Sequence, residues 1–78
     1  MLCLLEILQY EKELVDEIKL CDAQIVDNLY AAEESKNGND RDIYSRNVQT
    51  FRERKEKAEK NLLTTRITLR GYLYKLFE

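Results

Sequence analysis

Eight residues near the middle of the chain, Glu34-Ser35-Lys36-Asn37-Gly38-Asn39-Asp40-Arg41, hold its one cluster of turn formers. The chain has no Pro, and on either side apolar residues recur at three- and four-residue steps. That is the spacing of one buried helix face. Asn37-Gly38 suits a helix exit, because Gly reaches the left-handed conformation at C′ without a Cβ clash. Asn39 or Asp40 suits the next helix start, where a short side-chain oxygen accepts from an orphan backbone N–H. A stop followed at once by a start predicts a hairpin: a helix over about 2–35, a turn at 36–40 and a helix over about 41–76. The fold class is therefore all-α, an antiparallel, coiled-coil-like two-helix hairpin in one domain, completed by a partner or by dimerisation into a helical bundle.

The stripe of the first helix reads Leu4, Ile7, Leu8, Leu14, Val15, Ile18, Cys21, Ile25, Leu29 and Ala32, with Glu11 as its polar member. That of the second reads Tyr44, Val48, Phe51, Lys55, Ala58, Leu62, Thr65, Leu69, Tyr72 and Leu76. A turn centred near Gly38 makes residues whose numbers sum to about 76 face each other. Ala58 then meets Ile18, Leu62 meets Leu14, Phe51 meets Ile25 and Tyr72 meets Leu4. The polar seam positions coincide as well, Glu11 with Thr65 or Arg66 and Asp22 with Lys55. Small against large at Ala58 and Ile18 is sound packing. The middle of the second helix, Arg52 to Lys60, has Ala58 as its one apolar residue. Its helicity rests on propensity and on i,i+4 pairs such as Glu53–Lys57 and Glu56–Lys60.

The net charge of −2 hides an asymmetry: residues 1–36 carry −6 and residues 41–78 carry +5. Antiparallel folding sets an acidic helix beside a basic one, which favours this pairing over contacts between like helices. The basic run offers Arg46, Arg52, Arg54, Lys55, Lys57 and Lys60 to phosphates, but Glu53, Glu56 and Glu59 interleave with them. The field largely cancels at a distance, so nucleic-acid binding is not expected.

The chain has no His, which excludes His-based acid–base chemistry and His metal ligation. Cys3 and Cys21 lie about 27 Å apart along one helix, too far for a disulfide within it or a shared zinc site. Both read as small hydrophobes in a reducing compartment. Asn39, Asp40 and Asp42 lack the spacing of a calcium loop and read as capping residues. No Gly-rich phosphate loop is present. An enzyme is not expected, and no cofactor or metal is implied. The apolar start Met1-Leu2-Cys3-Leu4-Leu5 lacks a basic leader and is interrupted by Glu6, so it does not read as a signal peptide. No uncharged stretch approaches the ~20 residues of a membrane span. A cytoplasmic location is expected.

The apolar surplus gathers at the open end of the hairpin. There Leu2, Leu5, Leu63, Ile67, Leu73, Tyr74 and Phe77 exceed what a two-helix seam covers, and such a patch marks an interaction site. These seven residues are the candidate partner-binding set. Gly71, in the same region, is read as a close approach, a bend or a frayed last turn.

The turn run Gly38-Asn39-Asp40-Arg41-Asp42-Ile43-Tyr44 resembles that of the small co-chaperones of type III secretion needle subunits. Those are short cytoplasmic helical hairpins with a Gly-x-Asp-x-x-x-Tyr run at or after the turn, matched here by Gly38, Asp40 and Tyr44. The resemblance implies a non-enzymatic role, in which the hairpin pairs with a larger, repeat-helix chaperone and keeps the secretion subunit from polymerising before export. From the residues alone, two readings stand ahead of a third, a hairpin that binds nucleic acid through its second helix. One is a co-chaperone or adaptor docking on another protein through its open end. The other is a self-associating four-helix bundle with a structural or regulatory role of phage or plasmid type.

Overall fold

A computed structural model describes residues 3–76; the terminal positions Leu2 and Phe77 lie outside them. Two helices form, α1 (Leu4–Glu34) and α2 (Gly38–Leu76), with no strand among the described residues. They pack antiparallel as a rod with extents of 62 × 17 × 13 Å. The expected all-α hairpin is what the chain adopts.

The turn is shorter than expected and is closed by different atoms. The expected exit at Gly38 is incorrect: α2 begins at that residue, and no described residue has a positive φ. Asn37 caps α2 instead, its Oδ1 accepting from the Asn39 N–H at 2.9 Å and its carbonyl from the Arg41 N–H at 3.1 Å. Asn39 and Asp40, expected as caps, already lie inside the helix. Asp40 still places a negative charge in the first turn, where the helix dipole favours it. At the other side of the turn, the Arg41 guanidinium donates to the Ser35 carbonyl at 3.1 Å, and the Ser35 hydroxyl donates to the Asn37 carbonyl at 3.0 Å. Those bonds meet orphan acceptors of the turn, so α1 ends at an extended Ser35 without a left-handed residue.

The seam follows strict seven-residue steps. In α1 the buried row is Ile7, Leu14, Cys21 and Asn28, flanked by half-buried Leu4, Glu11, Ile18, Ile25 and Ala32. In α2, Val48, Ala58, Leu62 and Thr65 are buried and Tyr44, Phe51, Lys55, Leu69 and Tyr72 half-buried. This is the repeat of a coiled coil. Leu14, Ala58 and Leu62 form the central cluster, with Val15 and Ile18 packed against it. Three members of the expected stripes, Leu8, Leu29 and Leu76, are exposed. The first two lie one position past the buried row. Leu76 lies beyond the start of α1, because α2 has eight more residues than its partner helix.

Candidate interaction surface

The polar contacts that fix the hairpin determine which surfaces remain free. Glu11 Oε2 accepts from Arg66 Nε at 3.2 Å, and Asp22 Oδ1 meets Lys55 Nζ at 2.6 Å, both as the sequence register requires. A third pair was not foreseen: Glu17 Oε1 accepts from Arg54 Nε at 3.0 Å and also from its Nη2. In all three an acid on α1 meets a base on α2. Within α2, Glu56 pairs with Lys60 at 3.3 Å, whereas Glu53 accepts from Gln49 rather than from Lys57. Arg54 also lies over the Phe51 ring, 5.2 Å from its centroid. Three candidate phosphate-binding cations, Arg54, Lys55 and Lys60, are thus paired with carboxylates.

Two further seam groups are polar and satisfied. Asn28 Oδ1 accepts from Asn47 Nδ2 at 3.2 Å across the helices, while its own amide donates to the Gln24 carbonyl at 2.7 Å. Asn28 was missed because the expected stripe passed through its apolar neighbour Leu29; continuing the step from Ile7 through Leu14 and Cys21 would have found it. The Cys21 thiol is fully buried and donates to Glu17 Oε1 at 3.5 Å. Burial pushes its pKa up, and the Glu17 bond and charge push it further. The Lys55 ammonium is also shifted upward, chiefly by its bond to Asp22.

What remains is the open end. Of the seven candidate residues, the five described ones are exposed: Leu5 by 77%, Leu63 and Ile67 by 64%, Leu73 by 43% and Tyr74 by 69%. The helix overhang explains part of this, since Leu73 stands level with the first residue of α1 and Tyr74 beyond it. Leu63, Ile67 and Tyr74 follow one another on the outer side of α2, while Leu5 lies on α1 level with Leu73. They form a ridge on α2 and a shoulder on α1 rather than one compact patch. The sequence reading missed a second apolar region near the turn, where Val26, Leu29, Tyr30 and Ile43 are also exposed. Their signal was there in the three- and four-residue steps from Val26 to Leu29 and Tyr30.

The concave features of this surface are open grooves. One runs along α1 between Leu5, Gln9 and Tyr10, rimmed by Glu6 and Glu13. Another lies at the turn end between Leu29, Ala32 and Glu33 of α1 and Arg41 and Ser45 of α2. Among the described residues no group of three or more Cys, Asp or Glu is gathered in a way that could hold a metal ion. No described helix is long and apolar enough to cross a membrane. Comparisons with protein families, with curated proteins and with solved structures give no match for this chain.

Proposed function

We propose that this chain is a non-enzymatic protein–protein interaction module, a small adaptor or co-chaperone that docks through the apolar surface at its open end. One observation carries the reading: Leu5, Leu63, Ile67, Leu73 and Tyr74 stay exposed on a rod that two helices cannot close. Burying a Leu, Ile or aromatic side chain is worth roughly 1.5–3 kcal/mol. A handful of them therefore offsets much of the entropic cost of association. The Gly38-x-Asp40-x-x-x-Tyr44 run supports one setting in particular, cytoplasmic pairing with a larger helical chaperone in the manner of needle-subunit co-chaperones.

Polar substitution tests the site. Ile67→Asp and Leu73→Asp should abolish association with whatever partner the wild type holds, while far-ultraviolet circular dichroism keeps its helical form. Lys57→Glu and Lys60→Glu, in the charged middle of α2, should leave association unchanged. Binding that survives both apolar substitutions but is lost on charge reversal would place the interface in the middle of α2 and end this reading.

A further inference from the structure

The seam divides the rod into two broad sides, and they differ. Positions that directly follow the buried row of α1 are Leu8, Val15, Asp22 and Leu29. On α2 the positions following Tyr44, Phe51, Ala58, Thr65 and Tyr72 are Ser45, Arg52, Glu59, Arg66 and Leu73. In an antiparallel pair these two sets share one side. The pairs Asp22–Lys55 and Glu11–Arg66 flank the seam there, and one groove holds both Leu29 and Ser45. Three residues before each position, one step further out, come Leu5, Lys12, Lys19 and Val26 on α1 and Asp42, Gln49, Glu56, Leu63 and Arg70 on α2. This side therefore carries Leu5, Leu8, Leu63 and Leu73 at the open end and Val26 and Leu29 near the turn, all exposed. Between the two ends, Lys19 on α1 stands level with the stretch from Glu56 to Glu59 on α2.

We infer that this side is covered by a second copy of the chain, related by a two-fold axis parallel to the helices. The proposal rests on the reading of the open end as an interaction surface and names its occupant. Charge selects the operator. An axis along the rod lays each α1 over the partner's α2, and on this side Asp22 of one copy comes level with Arg52 of the other, while Lys12 comes level with Arg66. Lys19 then lies over Glu56 and Glu59 of the second copy, twice by symmetry. An axis across the middle of the rod would instead lay Lys19 on Lys19 and set Glu56 and Glu59 against their own copies. The axis along the rod also brings the open ends together, with Leu5 and Leu8 over Leu73 of the second copy and Val15 over its Leu63. Near the turn, Val26 and Leu29 come over the aliphatic stem of Arg52. Ile67 and Tyr74 sit at the rim.

The area agrees. The hairpin exposes 6370 Å², whereas a compact chain of 9.3 kDa exposes roughly 5,000 Å². The excess of about 1,400 Å² exceeds the ~800 Å² that each partner buries in an interface of standard size. Two-fold dimers are also the commonest closed assembly.

Analytical ultracentrifugation of the full chain at tens of micromolar should give a dimer. Lys19→Glu and Glu56→Lys should each raise its dissociation constant about tenfold, since each places two like pairs in the interface. A one-to-one mixture of the two variants should recover wild-type affinity, because in the mixed dimer each reversed residue meets an opposite charge. Nitroxide labels on the exposed Cys3, with Cys21 buried and unlabelled, should lie within the bundle's width, about 15–30 Å for helix axes 8–10 Å apart. Labels near the 62 Å length of the rod, or variants that fail to complement, overturn the arrangement. A monomer that still loses a heterologous partner on Ile67→Asp overturns the second copy alone; a monomer without any partner overturns the interaction reading too.

Discussion

Four single positions show where the fold has margin and where it has little. Ala58 is buried in the central cluster with Leu14 and Leu62. Its methyl lets the helices approach where the surrounding residues are charged. Ala58→Leu should therefore destabilise by about 1–3 kcal/mol through overpacking, read as a lowered melting temperature; an unchanged or raised value would mean there is no close approach. Gly71 behaves in the opposite way. It lies within α2, and a Cβ added there meets nothing within 4 Å. The readings of a close approach and of a frayed turn both fall away, and Gly71→Ala should stabilise by about 0.5–1 kcal/mol in thermal melts. Cys21 and Lys55 make stability depend on alkaline pH. Both have raised pKa values, so the folded chain holds more protons than the unfolded one over that range, and stability falls as pH rises. The decline should begin near the ordinary thiol value of 9.0 and steepen past the ordinary lysine value of 10.5. Urea titrations from pH 7 to 11 check this, and Cys21→Ala should remove the earlier part of the fall.

Among elements, register was legible in the sequence and the turn chemistry was not. The sum rule placed Glu11 beside Arg66 and Asp22 beside Lys55 because two periodic stripes and one turn centre leave a single antiparallel alignment. It tolerated an error in the turn itself, since moving the α2 start from Arg41 to Gly38 changes which atoms close the loop but not which residues face. Asn37 could have been read as the cap, but Gly at a helix exit is the stronger prior and Asn37 precedes it. Hydrophobicity also misled at Leu29, where the coiled-coil step buries the polar Asn28 instead. That buried amide, bonded to Asn47 across the seam, is a register device of the kind coiled coils use at a cost in stability. The open-end surplus was legible as composition; its division into a ridge and a shoulder required the overhang of α2. The interhelical ion pairs share this role of specifying register. Asp22 and Lys55 should show a non-zero coupling in a double-mutant cycle that shrinks as salt is added, and additive single effects would remove them from the account.

For the molecule as a whole, shape governs the energetics. A rod 62 Å long and 13 Å thick has no interior beyond its seam. Its buried apolar residues are Ile7, Leu14, Cys21, Val48, Ala58 and Leu62, and two of these six are small. Chains of this size with one thin core are marginal unless something else binds the folded form. The proposed bundle of two hairpins would supply that, and it would link folding to association by mass action. The melting temperature should then rise with concentration, by several degrees between about 2 and 200 µM, since a hundredfold change in concentration is worth about 2.7 kcal/mol of linked stability. Leu5→Asp combined with Leu73→Asp should lower the melting temperature and flatten that dependence, because it removes leucines of the proposed two-fold interface while sparing the seam. A melting temperature independent of concentration, with the same value in the double variant, would mean that the hairpin is stable alone and that its exposed leucines contribute nothing to its folding.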